Sequence, residues 1–118
     1  MEIPVVMINV MRAGPSTGVP TKTEQGDLWQ MLGASQGDFP RIIVAPKDAL
    51  DAYNAVIELF NLVDRYQCPG IVISDLLISE GRFSVDPDDI NFHPEIDRGE
   101  LILEPSNNGD KYLRYKNT

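Results

Sequence analysis

The chain has 118 residues, of which 42% are hydrophobic and 24% are charged, enough for one domain with a modest core. The formal net charge of −8 argues against nucleic acid or an anionic membrane as a partner, because either requires a basic surface. No apolar run approaches the roughly 20 residues of a membrane helix, and strand-like sequence begins within a few residues of Met1 without a signal-peptide pattern, so we expect a cytoplasmic protein.

Apolar runs alternate with helical patterns over the first 78 residues. The first run is apolar on both faces, which is typical of a central parallel strand. The predicted elements are a strand over 4–10, a helix from Thr21 or Thr23 to Gly33, a strand over 41–45, a helix from its N-cap Asp48 to Tyr66, and a strand over 71–77. This order predicts an α/β fold with a parallel βαβαβ sheet.

The pattern changes at Ser79, after which turn-forming and acidic residues dominate. Only small apolar clusters follow, and one more short strand is predicted over 111–115. We therefore predict a partial α/β domain over 1–78 and a connector or arm, partly ordered, over 79–118. The single cysteine, Cys68, excludes an intrachain disulfide and an iron–sulfur cluster held by this chain alone.

A loop rich in glycine and proline follows the first strand. Gly14, Ser16 and Gly18 match the pattern of a serine-hydrolase elbow, but Val19-Pro20 separates them from the next helix and only His93 could act as a base. The Walker pattern fails because Gly18 and Lys22 are not adjacent. A looser anion site at the helix start stays open. The acidic run 86–89 lacks the spacing of a calcium loop, and no metal site is predicted.

Arg12 and Thr21 each have two interpretations. Arg12 directly follows the first strand, where its guanidinium would bind a carboxylate in bidentate fashion or form a rim salt bridge to Glu24 or Asp27. Thr21 would cap the helix, contact a ligand, or do both. Asp75, at the end of the third strand, is interpreted as a turn former.

The segment 10–28 resembles the signature of the α subunits of 2-oxoacid:ferredoxin oxidoreductases. It reads Val-Met-Arg-Ala-Gly-Pro-Ser-Thr-Gly-Val-Pro-Thr-Lys-Thr-Glu-Gln-Gly-Asp-Leu. Segments 2–6, 39–46 and 66–75 resemble the same family in register, and 112–115 does so more weakly. The resemblance therefore covers most of the chain up to Leu77.

The resemblance implies the pyrimidine-binding domain of thiamine diphosphate enzymes. Such enzymes oxidatively decarboxylate a 2-oxoacid, such as pyruvate or 2-oxoglutarate, with coenzyme A, and reduce ferredoxin. It implies that Arg12 binds the substrate carboxylate and that Thr21 contacts or positions the substrate, with Ser16 and Thr17 beside them on the same loop. The implied cofactors are thiamine diphosphate and magnesium, mostly outside this chain, and an iron–sulfur cluster on another chain or domain.

The family's earlier segments, including a Tyr-Pro-Ile-Thr-Pro stretch and an activating glutamate, do not occur here. The sequence is therefore interpreted as the second half of the domain, dependent on a β subunit and inactive in isolation. Exposed strand edges predict self-association. The alternative is a non-catalytic α/β interaction module, and the two hypotheses differ in whether the loop binds a 2-oxoacid.

Overall fold

The computed structural model describes residues 3–103 of the chain. Its elements are β1 (Val5–Met11), α1 (Leu28–Gly33), β2 (Ile42–Val44), α2 (Ala49–Tyr66), β3 (Pro69–Asp75), α3 (Leu76–Glu80) and a 3-10 turn (Pro87–Asp89). The three strands form one sheet in the order β1-β3-β2, and β3 runs parallel to both neighbours. The predicted parallel α/β fold is confirmed.

The central strand is β3, not β1 as the sequence pattern predicts. All seven residues of β3 are buried, because β1 and β2 flank it and α2 packs on it. Within residues 3–103, β1 has a neighbour on one side only, and Ile8 is 62% exposed. An apolar run on both faces shows that a strand can be buried, but it does not fix the position of that strand in the sheet.

Helix α2 forms as its sequence predicts. Asp48 is the N-cap, and its Oδ1 accepts a hydrogen bond of 2.8 Å from the Asp51 backbone N–H. The apolar stripe buries Leu59 and Val63 completely, and both pack with Val72 of β3 in one cluster. Glycine at position 70 permits this close approach, since a Cβ there would lie 2.6 Å from the Val63 side chain.

Helix α1 begins later than predicted, at Leu28 rather than near Thr21 or Thr23. The backbone of Lys22 is already paired, because the Ala13 N–H donates to the Lys22 carbonyl at 3.2 Å. Thr21 is therefore an exposed turn residue and not a helix cap. A capping-box spacing predicts a helix start only where the backbone is not held by a more distant segment.

The third strand ends at Asp75, two residues before the predicted end, because α3 begins there. The five residues of α3 cross the predicted domain boundary at 78–79. The division into a partial domain over 1–78 and an arm over 79–118 stays a prediction.

The segment that follows α3 lies along α2 and is held by polar contacts. The Asn61 side chain donates 2.9 Å to the Glu95 carbonyl and accepts 3.0 Å from the Asp97 N–H. Arg98 forms an ion pair of 2.6 Å with Asp64 of α2. The strand predicted over 111–115 lies outside the described residues. No helix among residues 3–103 has both the length and the apolar character needed to cross a membrane.

Candidate functional site at the carboxyl edge of the sheet

The carboxyl ends of β1 and β3 lie side by side, since Met11 pairs in register with Asp75. Arg12 is the first residue beyond β1 and therefore lies at this edge. The loop 12–27 leaves the sheet here, at the edge where open parallel α/β sheets bind their ligands.

The tip of this loop is closed by backbone hydrogen bonds. Val19 N–H donates 3.0 Å to the Ala13 carbonyl, and Ala13 N–H donates 3.2 Å to the Lys22 carbonyl. Gly18 has a φ of +49°, and a Cβ at this position would clash with the Ala13 carbonyl. Only glycine therefore fits position 18, both for its conformation and for the space available. The loop presents Ser16, whose φ is 54°, at an exposed turn.

Two side-chain hydrogen bonds tie the later part of the loop to the ends of the strands. Gln25 Nε2 donates 2.9 Å to Asp75 Oδ2 on β3. Asn9 Nδ2 of β1 donates 3.1 Å to Asp27 Oδ2, at the start of α1. Residues 23–26 form neither helix nor strand, so these contacts link an irregular segment to the sheet.

Asp75 is the buried charged group of the site, with 6% of its surface exposed. Its Oδ1 accepts 3.0 Å from the Ile78 N–H and caps α3, while Oδ2 accepts from Gln25. The hydrogen bond from Gln25, followed by that from Ile78, lowers the pKa of Asp75 below its ordinary value of 3.8. The interpretation of Asp75 as a turn former missed both roles.

The lowered pKa makes Asp75 stabilising in its ionised form. The unfolded chain binds the proton more tightly, so the contribution is complete above the unfolded pKa and is lost as the pH falls through the folded pKa. We expect Asp75→Asn to reduce the free energy of unfolding at pH 7 by about 1–2 kcal/mol, because a neutral amide accepts more weakly than a carboxylate from Gln25 and the Ile78 N–H. The difference from the unsubstituted chain should shrink as the pH falls below 3.8. Urea unfolding at several pH values measures this difference in the free energy of unfolding. Asp38→Asn, at an exposed position, is the control. A difference between Asp75→Asn and the unsubstituted chain that grows at low pH would contradict the assignment.

The structure places all four predicted site residues on the one loop and leaves all of them exposed. They are Arg12, Ser16, Thr17 and Thr21. No ion pair to Arg12 occurs within residues 3–103, and Asp27 instead accepts from Asn9. The interpretation of Arg12 as a rim salt bridge to Glu24 or Asp27 is therefore not supported in the part of the chain that the structure describes.

A cavity of about 190 Å³ lies beneath the loop, bounded by side chains of β1, β3 and α3 and by Gln25. Its lining residues include Met11, Gln25, Pro46, Ser74, Asp75 and Ile78. None of the four predicted site residues lines it. One signal in the sequence could have found the role of Asp75, since an aspartate between a strand and an apolar segment suits a helix N-cap. No such signal exists for its partner Gln25, which lies 50 residues away in the chain.

Cys68 does not line this cavity. Cys68 is buried, and burial raises the pKa of its thiol, so a packed and unreactive side chain is indicated. Among residues 3–103, no three His, Cys, Asp or Glu side chains are grouped so that they could hold a metal ion.

The model of one protein family matches residues 1–109, and its description is pyruvate flavodoxin/ferredoxin oxidoreductase, thiamine diphosphate-binding. The chain belongs to this family. The resemblance found in segment 10–28 is thereby confirmed. The solved-structure comparison below agrees with the parallel α/β sheet.

Two similar proteins carry the subunit name KorA. The chain is 46% identical over 71% of its length to the 2-oxoglutarate synthase subunit KorA of Archaeoglobus fulgidus, and covers 24% of that protein. It is 35% identical over 99% of its length to the 2-oxoglutarate oxidoreductase subunit KorA of Mycobacterium tuberculosis, covering 18% of it. The chain thus spans about a fifth of these relatives.

This chain is also similar to a solved structure. That structure is the 2-oxoglutarate:ferredoxin oxidoreductase from Magnetococcus marinus, with 2-oxoglutarate, coenzyme A and succinyl-CoA bound. The match has a TM-score of 0.60 and 43% identity, and covers 63% of this chain and 13% of the other.

Proposed function

We propose that this chain is part of the α subunit of a 2-oxoacid:ferredoxin oxidoreductase and supplies residues that bind the 2-oxoacid. The family match and the α-subunit names of the relatives support this proposal. Of the possible 2-oxoacids, 2-oxoglutarate is favoured over pyruvate, because relatives from Archaeoglobus fulgidus and Mycobacterium tuberculosis are named for 2-oxoglutarate.

The observation that carries the proposal is the placement of Arg12. Arg12 directly follows the parallel strand β1 at the carboxyl edge of the sheet. It is exposed, and its guanidinium forms no ion pair within residues 3–103. A planar guanidinium donates two parallel hydrogen bonds to a carboxylate, and every 2-oxoacid carries one beside its carbonyl. Arg12 would thus hold the substrate in one orientation for reaction.

The hydroxyl groups of Ser16, Thr17 and Thr21 have secondary roles in this proposal. All three are exposed on the closed loop that begins after Arg12. Thr21 precedes Lys22, whose carbonyl and N–H close the loop, so its position is fixed relative to Ala13. We assign Thr21 to substrate contact and positioning, and Ser16 and Thr17 to further hydrogen bonds with the substrate from the same loop.

The chain spans about a fifth of the length of its relatives, so most of the proposed enzyme lies outside it. We assign thiamine diphosphate, magnesium and an iron–sulfur cluster to the rest of a cytoplasmic assembly that includes a β subunit and acts with coenzyme A and ferredoxin. This chain contributes substrate binding and orientation.

The test is turnover by the assembled oxidoreductase that contains this chain. We expect coenzyme A-dependent reduction of ferredoxin with 2-oxoglutarate, a lower rate with pyruvate, and no reduction by the chain alone. An assembled complex that reduces ferredoxin with neither 2-oxoacid would contradict the proposal.

One observation favours the second candidate, a non-catalytic α/β interaction module. Within residues 3–103, β1 is an edge strand with apolar side chains exposed on both faces, including Met7 and Ile8, which are 45% and 62% exposed. Such an edge suits a protein partner or a second copy of the chain. A complex that forms normally but binds no 2-oxoacid would support this candidate.

A further inference from the structure

We propose that Gln25 is a positioning residue for the substrate-binding loop, acting through its hydrogen bond to Asp75. This inference rests on the proposed function of Arg12. The role assigned to Gln25 is to fix the loop over the carboxyl edge of the sheet.

This role follows from the irregular backbone between the loop tip and α1. Residues 23–26 have no helical or strand hydrogen bonding, yet Gln25 Nε2 donates 2.9 Å to Asp75 Oδ2 at the end of the central strand. Asp75 is itself immobilised, because it is 6% exposed and its other oxygen caps α3 at 3.0 Å. The hydrogen bond thus connects an irregular segment to one of the most buried positions of the sheet.

The experiment compares variants in the assembled oxidoreductase that contains this chain. Gln25→Leu removes the donor and should raise KM for 2-oxoglutarate about tenfold, with a smaller change in kcat. Gln25→Glu should raise KM further, because two carboxylates then face each other. Gln30→Leu, on the exposed side of α1, is the matched control and should leave KM unchanged.

A double variant in which the amide and the carboxylate exchange positions tests whether KM is restored. In the double variant Gln25→Glu/Asp75→Asn, the carboxylate introduced at position 25 accepts a hydrogen bond from the new amide at position 75. The oxygen of that amide still caps α3, so KM should return to within about threefold of the unsubstituted enzyme. A KM that is unchanged in Gln25→Leu, or not restored in the double variant, would overturn the inference.

Two additional measurements separate this inference from the proposed function. If Arg12→Ala raises KM and Gln25→Leu does not, only the role of Gln25 fails, whereas an unaffected Arg12→Ala removes the proposed substrate-binding role of Arg12. Hydrogen–deuterium exchange of the complete 118-residue chain reports on the loop without activity. Exchange at the Ala13 and Lys22 amides should become faster in Gln25→Leu and unchanged in Gln30→Leu, and equal rates in both would also contradict the inference.

Discussion

Replacing Arg12 by alanine should reduce kcat/KM of the assembled oxidoreductase for its 2-oxoacid by about 100-fold. The loss corresponds to about 3 kcal/mol, the value of two hydrogen bonds to a charged partner. The effect should fall mainly on KM if the guanidinium binds ground and transition states equally, and on kcat as well if it orients the carbonyl for reaction.

Arg12→Lys separates charge from geometry. Lysine keeps the positive charge but lacks the planar fork, so an intermediate loss of about tenfold is expected. The matched control is Arg98→Ala, which removes the same side chain from an ion pair with Asp64 of α2. Asp64 lies at the end of α2 that leads into the start of β3, opposite the carboxyl edge. Steady-state kinetics with 2-oxoglutarate give all three values, and equal losses in Arg12→Ala and Arg98→Ala would contradict the assignment.

The second large effect concerns the contact between α2 and the centre of the sheet. Leu59 is completely buried, and Gly70 faces it so closely that a Cβ would lie 2.7 Å from the Leu59 side chain. Leu59→Ala should lower the free energy of unfolding by about 3 kcal/mol, through lost burial and the cavity left behind. Gly70→Ala should lower it by about 2 kcal/mol, because the added methyl group overfills the contact.

The two substitutions should compensate each other. In Leu59→Ala/Gly70→Ala the new methyl group occupies space that the leucine vacates, although it still crowds Val63. The combined loss should therefore be about 1 kcal/mol smaller than the sum of the single losses. Urea unfolding of the 118-residue chain measures all three variants. Leu77→Ala is the control, since this leucine is 65% exposed and its truncation should cost little. Strict additivity of the two losses would show that Leu59 and Gly70 do not share this contact.

Local patterns predicted those elements whose causes lie within a few residues. Helix α2 is the clearest example, because the Asp48 cap is three residues from its donor and the apolar stripe repeats within the helix. The three strands and their parallel arrangement also followed, since short links between alternating strands and helices permit little else. The position of β1 at the edge did not follow, because strand order depends on pairing between distant segments.

The same distinction between local features and contacts of distant residues applies to the candidate site. The loop and Arg12 could be located in advance, because an arginine directly after an apolar strand is visible in the sequence itself. The contact of Gln25 with Asp75 could not, since its partners are 50 residues apart. The predicted start of α1 was wrong for a related reason, since the backbone of Lys22 is paired with Ala13 across the loop and is not available to a helix.

The most direct test of the central claim is a structure of the assembled oxidoreductase with its 2-oxoacid bound. Our account predicts that the guanidinium of Arg12 lies about 2.7–2.9 Å from the oxygens of the substrate carboxylate, with the loop 12–27 at the carboxyl edge of the sheet. A substrate whose carboxylate is held by a different cation, with Arg12 directed into bulk water, would contradict it.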